Sequence, residues 1–350
     1  MEVICCMNED SRSRQIQYRR FSIFRSFLLI LLVFAAIMFV IVFLHARKAS
    51  IYALDMAYDL HEQNGAQDIS EFSQQTALGF ATDLVAAEEE TPQELELVQD
   101  DCKMLLFNLE SKEPVYSHRI YQKIYPASLT KIMTAILAIE NAGMNATVVM
   151  TEEDFDLDEG AQVSSLLPGD TVTMDELFHL LVIYSSNDAA MAIARTIAGS
   201  KEAFVDMMNA RAVELGMSGT HFVNPTGLHS EDMYTTAYDV YLMLRQAYSY
   251  QDYLNVSQMA EYTTDVIGAN GTTRTIYHTS TDQYLTNEQT LPSGIRILAS
   301  KTGTTDQAGS CLALVIQNEY GVAYTAIVMG AWNKPNLYTN MTQLLNLANA

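Results

Sequence analysis

The sequence predicts an α+β fold: an antiparallel sheet flanked by helices, with an all-helical subdomain inserted after the first strand and a transmembrane helix ahead of the whole. Three observations carry this expectation. The run "FLLILLVFAAIMFVIVFL", Phe27 to Leu44, contains no charge. Beyond it, one β-like run near Cys102 leads into a long stretch with apolar residues at helical spacing. The C-terminal part then closes with three β-like runs and a final helix. Strand, many helices, then strands is the order of a sheet covered by helices, not of alternating βαβ units.

The chain has 350 residues, 49% hydrophobic and 18% charged, enough to bury a sizeable core. At the usual helical rise, residues 27–44 span about 27 Å, close to the hydrocarbon thickness of a bilayer. Arg12, Arg14, Arg19, Arg20 and Arg25 precede this run, and only Arg47 and Lys48 follow closely. The positive-inside rule therefore makes residues 1–26 a cytoplasmic tail and places everything after Leu44 outside. A cleaved signal peptide is the competing reading. It is disfavoured by the length of the apolar run and by "HARKAS", a poor cleavage site. Both readings export the rest of the chain.

The formal net charge is -22, which argues against a nucleic-acid partner. The acidity belongs to the exported part and reads as a solvated surface. Residues 45–100, with "AAEEETPQELELVQDD", read as an acidic stalk without chemistry, and residues 101–350 as the exported domain. With 4 Cys the chain is no disulfide scaffold, although Cys102 and Cys311 are placed where they could pair.

The domain's elements follow in order. "CKMLLFNLES" reads as a strand ending in a polar turn. Ser128 to Ala142 reads as a helix, from the spacing of Ile132, Ile136, Leu137 and Ile139, with Gly143 as its stop. "LLPGDTVTMDELFHLLVIY" turns at Pro168-Gly169 and opens a helix at Thr173, where Glu176 completes a capping box. Helices over Asp188–Ala198 and Lys201–Leu215 end at Gly199 and Gly216, and Thr236 caps a helix reaching Tyr248. "GIRILASKTG", "SCLALVIQN" and "VAYTAIVMGAW" are strands, and Leu337 to Ala350 forms a closing helix.

Three short motifs carry candidate chemistry. In "YPASLTKIMTAILAIENAG", Ser128 stands three residues before Lys131. One helical turn puts the two side chains on one face, about 5–6 Å apart at Cβ. A serine hydroxyl is a weak nucleophile and needs a base, a role open to a lysine made neutral by burial or a second cation. S-x-x-K alone is weak, since it arises by chance about once in a chain of this composition. Ser185-Ser186-Asn187 lies in a tight interhelical turn. Such residues usually cap helices; they can also shuttle a proton or hold a carbonyl. Lys301-Thr302-Gly303 ends a strand whose backbone can face an extended peptide, with a glycine that permits close approach. The seven His are scattered and no H-E-x-x-H appears, so no metal or other cofactor is expected. The G-x-S-x-G elbow of α/β-hydrolases is also missing from the sequence.

Taken together and in this order, "SLTK", "SSN" and "KTG" resemble the active site of penicillin-recognising serine enzymes. "YPASLTKIMTA", "LLPGDTVTMDELFHLLVIYSSNDAA", "AFVDMMNARAVELGMSGTHFVNPTGL" and "KTGTTDQAGSCLAL" resemble the low-molecular-weight penicillin-binding proteins, the serine D-alanyl-D-alanine carboxypeptidases of peptidase family S11. The resemblance covers residues 101–350 and implies a β-lactamase/transpeptidase-like fold. It also implies a substrate, the peptidoglycan stem peptide ending in D-Ala-D-Ala, and inhibition by β-lactams. It makes Ser128 the acylated nucleophile, Lys131 its base and Ser185 a proton relay. Asn187 would hold the substrate amide. Lys301, Thr302 and Thr304, beside Gly303, would face the terminal carboxylate, and the backbone N–H groups of Ser128 and Thr304 would form an oxyanion hole. Many members continue into a small β-rich domain with a membrane-binding tail. Here the expected anchor is N-terminal, in a bacterial cell membrane with the domain outside. Two alternatives stand beside this reading. A serine β-lactamase is disfavoured because no E-x-x-L-N follows Asn187. A non-enzymatic penicillin-binding module is disfavoured because every catalytic residue type is intact.

Overall fold

The structure, a computed structural model, describes residues 88–91, 95–158 and 160–349. The expected tail, the transmembrane helix over residues 27–44 and the stalk up to residue 87 lie outside the described residues.

Strand β1 (Lys103–Asn108) turns into β2 (Glu113–His118), and the two pair antiparallel. A 3-10 turn over Ala127–Thr130 then runs directly into helix α1 (Lys131–Asn141). Short strands β3 (Thr147–Val149) and β4 (Thr171–Thr173) follow. Next comes α2 (Met174–His179), which widens into a π turn over Leu180–Tyr184, and then α3 (Asn187–Ala198), α4 (Lys201–Glu214), α5 (Ala237–Tyr248) and α6 (Gln251–Ser257). A hairpin of β5 (Glu261–Ile267) and β6 (Thr273–Thr279) precedes β7 (Arg296–Thr305), β8 (Gly309–Gln317), β9 (Ala323–Ala331) and α7 (Lys334–Leu347).

The main sheet is antiparallel in the order β2-β1-β9-β8-β7, so the first strand sits between the last one and its own hairpin partner. Both faces are covered, and the period of two along each strand divides the core. Leu105 and Phe107 of β1, with Cys311, Ala313 and Val315 of β8, pack toward the helical subdomain with Ile132 and Ile136 of α1. Met104 and Leu106, with Leu312, Leu314 and Ile316, pack toward α7 with Leu337, Met341 and Leu344. A strand buried on both faces has no polar face to show, which is why "CLALVI" reads as one apolar run. Packing on the α7 side extends upstream of residue 101. Leu95 and Leu97 lie against that core, and Gln99, buried, donates to the Gly330 carbonyl at 2.8 Å and accepts from the Trp332 N–H at 2.7 Å.

Several expectations are realised closely. Thr173 and Glu176 form the capping box, and α3 ends on left-handed Gly199 at φ +81°. Others are corrected. The helix expected from Ser128 begins as a 3-10 turn, and it ends because Ala142 adopts an extended backbone, not on a left-handed Gly143. The closing helix starts at Lys334, three residues early, with Asn333 as cap and Pro335 in its first turn. Cys102 and Cys311 are buried free thiols, each with its pKa raised by burial, and do not pair.

A second sheet, β3-β4-β5-β6, was not foreseen. Its first two strands have three residues each, too few to show alternation, and β5 and β6 keep most side chains in water. This sheet braces the future site. Arg274 of β6 donates to the Asp170 carboxylate at 2.7 Å and to the Ser165 carbonyl at 3.0 Å. His278 stacks on Tyr184 at 3.8 Å and donates from Nε2 to the Ser164 carbonyl at 2.8 Å.

The start of α1 rests on a strained joint. Ala127 holds φ at +47°, a left-handed conformation costly for a residue with a Cβ. Gly227, itself at φ +80°, lies against it so closely that an added Cβ would stand 1.9 Å from the Ala127 carbonyl oxygen. Thr130 Oγ1 donates to that same oxygen at 2.8 Å. Gly227→Ala is expected to destabilise the fold by about 2–4 kcal/mol, the range for a combined steric and left-handed penalty. Thermal melting checks this; an unchanged melting temperature would mean that the joint relaxes freely.

Candidate active site

Ser128 sits in the 3-10 turn, half-buried, and Lys131 opens α1 one turn later, fully buried. Lys131 Nζ donates to Ser128 Oγ at 3.0 Å, to Asn187 Oδ1 at 2.7 Å and to the Thr226 carbonyl at 2.5 Å. Three acceptors match the three N–H bonds of an ammonium. Burial, followed by the nearby Lys301 cation, nevertheless holds the Lys131 amine well below its ordinary pKa, while Asp188 pulls it upward. As a neutral amine it has two N–H bonds, enough for Asn187 Oδ1 and the Thr226 carbonyl, and the contact to Ser128 Oγ then reverses, leaving a lone pair that can accept the hydroxyl proton.

The π turn after α2 delivers Ser185 with φ at +65°, again left-handed, and its side chain is nearly inaccessible. Widened turns of this kind recur at functional sites because they re-aim one residue. Asn187 opens α3. While Oδ1 accepts from Lys131, Nδ2 donates to the Gln162 carbonyl at 3.0 Å. Beneath this turn lies Asp188, fully buried. Its carboxylate accepts from Ser164 Oγ at 2.6 Å, from the Ser164 N–H at 3.0 Å and from the Ser186 hydroxyl. Ser186 thus spends its hydroxyl on the turn itself, leaving Ser185 and Asn187 to face the cleft.

β7 is the free edge of the main sheet and lies beside the 3-10 turn. Lys301 points from it into the cleft, buried, and donates to Ser185 Oγ at 2.8 Å and to the Thr302 carbonyl at 3.0 Å. Burial lowers its pKa to about 7, an effect that Asp282 partly offsets. Thr302 Oγ1 pairs with Thr281 Oγ1 at 2.5 Å, and Thr304 is exposed at the rim. Gly303 is the point of closest approach: an added Cβ would lie 2.9 Å from the Ser128 N and 3.1 Å from the Leu129 N. A cavity of about 240 Å³ opens here, lined by Ser128, Ser185, Asn187, Thr302, Gly303 and Thr304. Lys131 and Lys301 form its floor through their bonds to Ser128 and Ser185.

All eight residues singled out from the sequence therefore gather at one cleft. What sequence reasoning missed is mostly backbone. The carbonyls of Thr226 and Gln162 hold Lys131 and Asn187, and a carbonyl leaves no residue-type signature. Asp188 and Asp282 were also missed. Asp188 was legible as an acid directly after the serine-rich turn; Asp282 had no local cue.

A serine beside a buried lysine, a second serine beside a second buried lysine and an open strand edge form an arrangement that can support acyl transfer to a serine with a lysine as base. The chain belongs to the family whose model, described as D-alanyl-D-alanine carboxypeptidase (peptidase S11), matches residues 91–333. It is 30% identical over 260 residues to the D-alanyl-D-alanine carboxypeptidase DacF of Bacillus subtilis, covering 72% of this chain and 63% of that protein. It is 25% identical over 247 residues to the D-alanyl-D-alanine endopeptidase of Escherichia coli, covering 69% of this chain and 74% of that one. The chain thus spans less than two thirds of DacF. Among solved structures, the Streptomyces K15 DD-transpeptidase superposes with a TM-score of 0.65 at 24% identity, over 70% of this chain and 95% of that one. At that identity the likeness establishes the fold, and it is the fold expected from the motifs.

Gly303→Ala is expected to leave the fold intact and to slow modification of Ser128 by benzylpenicillin at least about tenfold, equivalent to roughly 1.4 kcal/mol of barrier. The time course of the intact-mass shift measures it; an unchanged rate would show that the strand edge moves away without cost.

Proposed function

We propose that this chain is a penicillin-sensitive serine D,D-carboxypeptidase that removes the terminal D-Ala from peptidoglycan stem pentapeptides. One observation carries the reading. Lys131, fully buried and shifted toward the neutral amine, lies 3.0 Å from the Ser128 hydroxyl at the mouth of a cleft bordered by a free strand edge.

The steps follow from the geometry. The stem peptide lies along β7, with its terminal carboxylate toward Lys301, Thr302 and Thr304. Asn187 holds the substrate amide. Lys131 takes the Ser128 proton as Oγ attacks the carbonyl of the penultimate D-Ala, and the backbone N–H groups of Ser128 and Thr304 stabilise the oxyanion. Ser185, held by Lys301, relays that proton from Lys131 to the leaving amine, and terminal D-Ala departs with Lys131 neutral again. Water then attacks the Ser128 ester and releases the shortened peptide. Endopeptidase and transpeptidase relatives run this chemistry with other peptides or acceptors. The anchor over residues 27–44 would hold the domain outside a bacterial cell membrane.

Intact mass after exposure to benzylpenicillin tests the assignment. A lasting adduct is expected in the wild type and none in Ser128→Ala. Lys131→Met is expected to slow its formation by about 10²–10⁴-fold, the range for loss of a general base. Penicillin hydrolysis without a lasting adduct would point to a β-lactamase instead. The rate is also expected to depend on pH. Lys131 must be neutral, so activity rises with pH through its lowered pKa. Lys301 is a cation below about 7 and neutral above it, so capture of a carboxylate ligand weakens as pH rises through about 7. A falling limb is expected for benzylpenicillin acylation measured as rate over concentration, and a peptide amide lacking the carboxylate should not show it. An identical limb for both would sever Lys301 from carboxylate binding.

A further inference from the structure

Lys301 is a buried cation with no carboxylate on its own side of the strand. Its hydrogen bonds go to a hydroxyl and a carbonyl, and among the described residues no acid forms an ion pair with it. A buried charge in that condition is costly. The compensating acid lies on the other face of β7. Asp282, 1% exposed, sits in the segment between β6 and β7. Its Oδ2 accepts from Ser300 Oγ at 2.6 Å, and its Oδ1 accepts from the Tyr338 hydroxyl and the Tyr284 N–H, each at 3.0 Å. Ser300 immediately precedes Lys301, so successive side chains of one strand hold the acid and the cation back to back. The neighbouring Thr281 is tied to Thr302 at 2.5 Å, which fixes the Asp282 segment to the same strand from the other side of Lys301.

We propose that Asp282 is a positioning residue for the acylation chemistry: through the backbone of β7 its carboxylate supplies the negative counter-charge that Lys301 lacks on the cleft side. This rests on the acylation reading above. The charged and titratable groups around the two centres are few. From α1, Lys131 faces Lys301, whose charge pushes the Lys131 amine downward; Asp188, at the start of α3, pulls it upward. From α7, Tyr338, together with Tyr284, faces Asp282; both phenols are pushed upward, chiefly by burial, and so stay neutral hydroxyls. Burial raises the Asp282 pKa on balance, while the Ser300 hydroxyl, the Tyr284 N–H, the Tyr338 hydroxyl and the Lys301 charge each favour its anion. Asp282 in turn is the charge that opposes burial at Lys301. The effect then passes on. A charged Lys301 keeps Lys131 neutral, so the far acid supports both the carboxylate anchor and the base without touching either.

Asp282→Asn in the full chain tests this, read as the pH profile of benzylpenicillin acylation. With the counter-charge gone, Lys301 loses its proton at lower pH and Lys131 is relieved of repulsion. The falling limb is therefore expected to move down, and the rising limb up, by about one pH unit, a tenfold change in each proton affinity. Activity at neutral pH falls mainly through weaker capture of carboxylate ligands, and Asp282→Glu, which keeps the charge, restores part of it. A profile of unchanged shape, whether or not the overall rate drops, overturns the proposal and leaves Asp282 a packing residue. If Asp282→Asn does not fold, Tyr338→Phe carries the test. It withdraws one donor from the anion and is expected to narrow the profile in the same sense by a smaller amount; an unchanged profile there overturns the proposal equally. A wild-type chain that takes no adduct would instead sink the carboxypeptidase reading, and this inference with it.

Discussion

Two lysine side chains are buried beside one cleft, and they cannot both carry a full charge there at modest cost. Lys131 and Lys301 are each buried, and each is within hydrogen-bond reach of a serine. Like charges in low dielectric push their proton affinities apart, and that separation lets one act as a base while the other remains a cation. Two buried acids bias the outcome from behind the cleft. Asp188 lies under the helical wall and Asp282 under the sheet wall, each fixed by hydroxyl and backbone donors. In the proposed chemistry the cleft rests on four ionisable groups, of which the two lysines reach toward it.

The scaffold holds this arrangement with local strain and rigid support. The nucleophile's turn, the Ser185 turn and the apposed Gly227 all carry left-handed backbone. Such residues persist where the surroundings over-determine them. Here a mostly buried helix α1 supports one and a second sheet braces another; Thr130 Oγ1 closes the first turn on the Ala127 carbonyl, and Thr134 Oγ1 ties it to the Pro225–Gly227 segment by donating to the Pro225 carbonyl at 2.7 Å. The strand edge comes close to the nucleophile only because position 303 has no side chain.

Much of this was legible in the chain. The spacing of Ser128 and Lys131 gave a shared helical face, the Thr173–Glu176 pair gave a helix start, and the order of strand, helices and strands announced a sheet covered by helices. The eight cleft residues could be named because side chains that do chemistry have to be particular types. The unread parts have physical reasons. Thr226 and Gln162 act through their carbonyls, which every residue possesses. β3 and β4, at three residues each, are too short to show alternation, and β5 and β6 expose most of their side chains. Cys102 and Cys311 pack as small apolar groups, and sequence position alone could not tell whether they would meet.

The order of the main sheet has a consequence for how the molecule is made. β1 is hydrogen-bonded to β9, so the strand synthesised first waits for the one synthesised last. The cleft is also stitched from distant pieces: Lys131 reaches Asn187 across 56 residues and Thr226 across 95, and Lys301 reaches Ser185 across 116. Closing such long loops is slow and entropically late. In the proposed function, reactivity at Ser128 would therefore be complete only when the C-terminal strands dock and hold β7 beside the serine's turn. For this architecture, the ability to take a covalent label at the serine is a readout of completed folding.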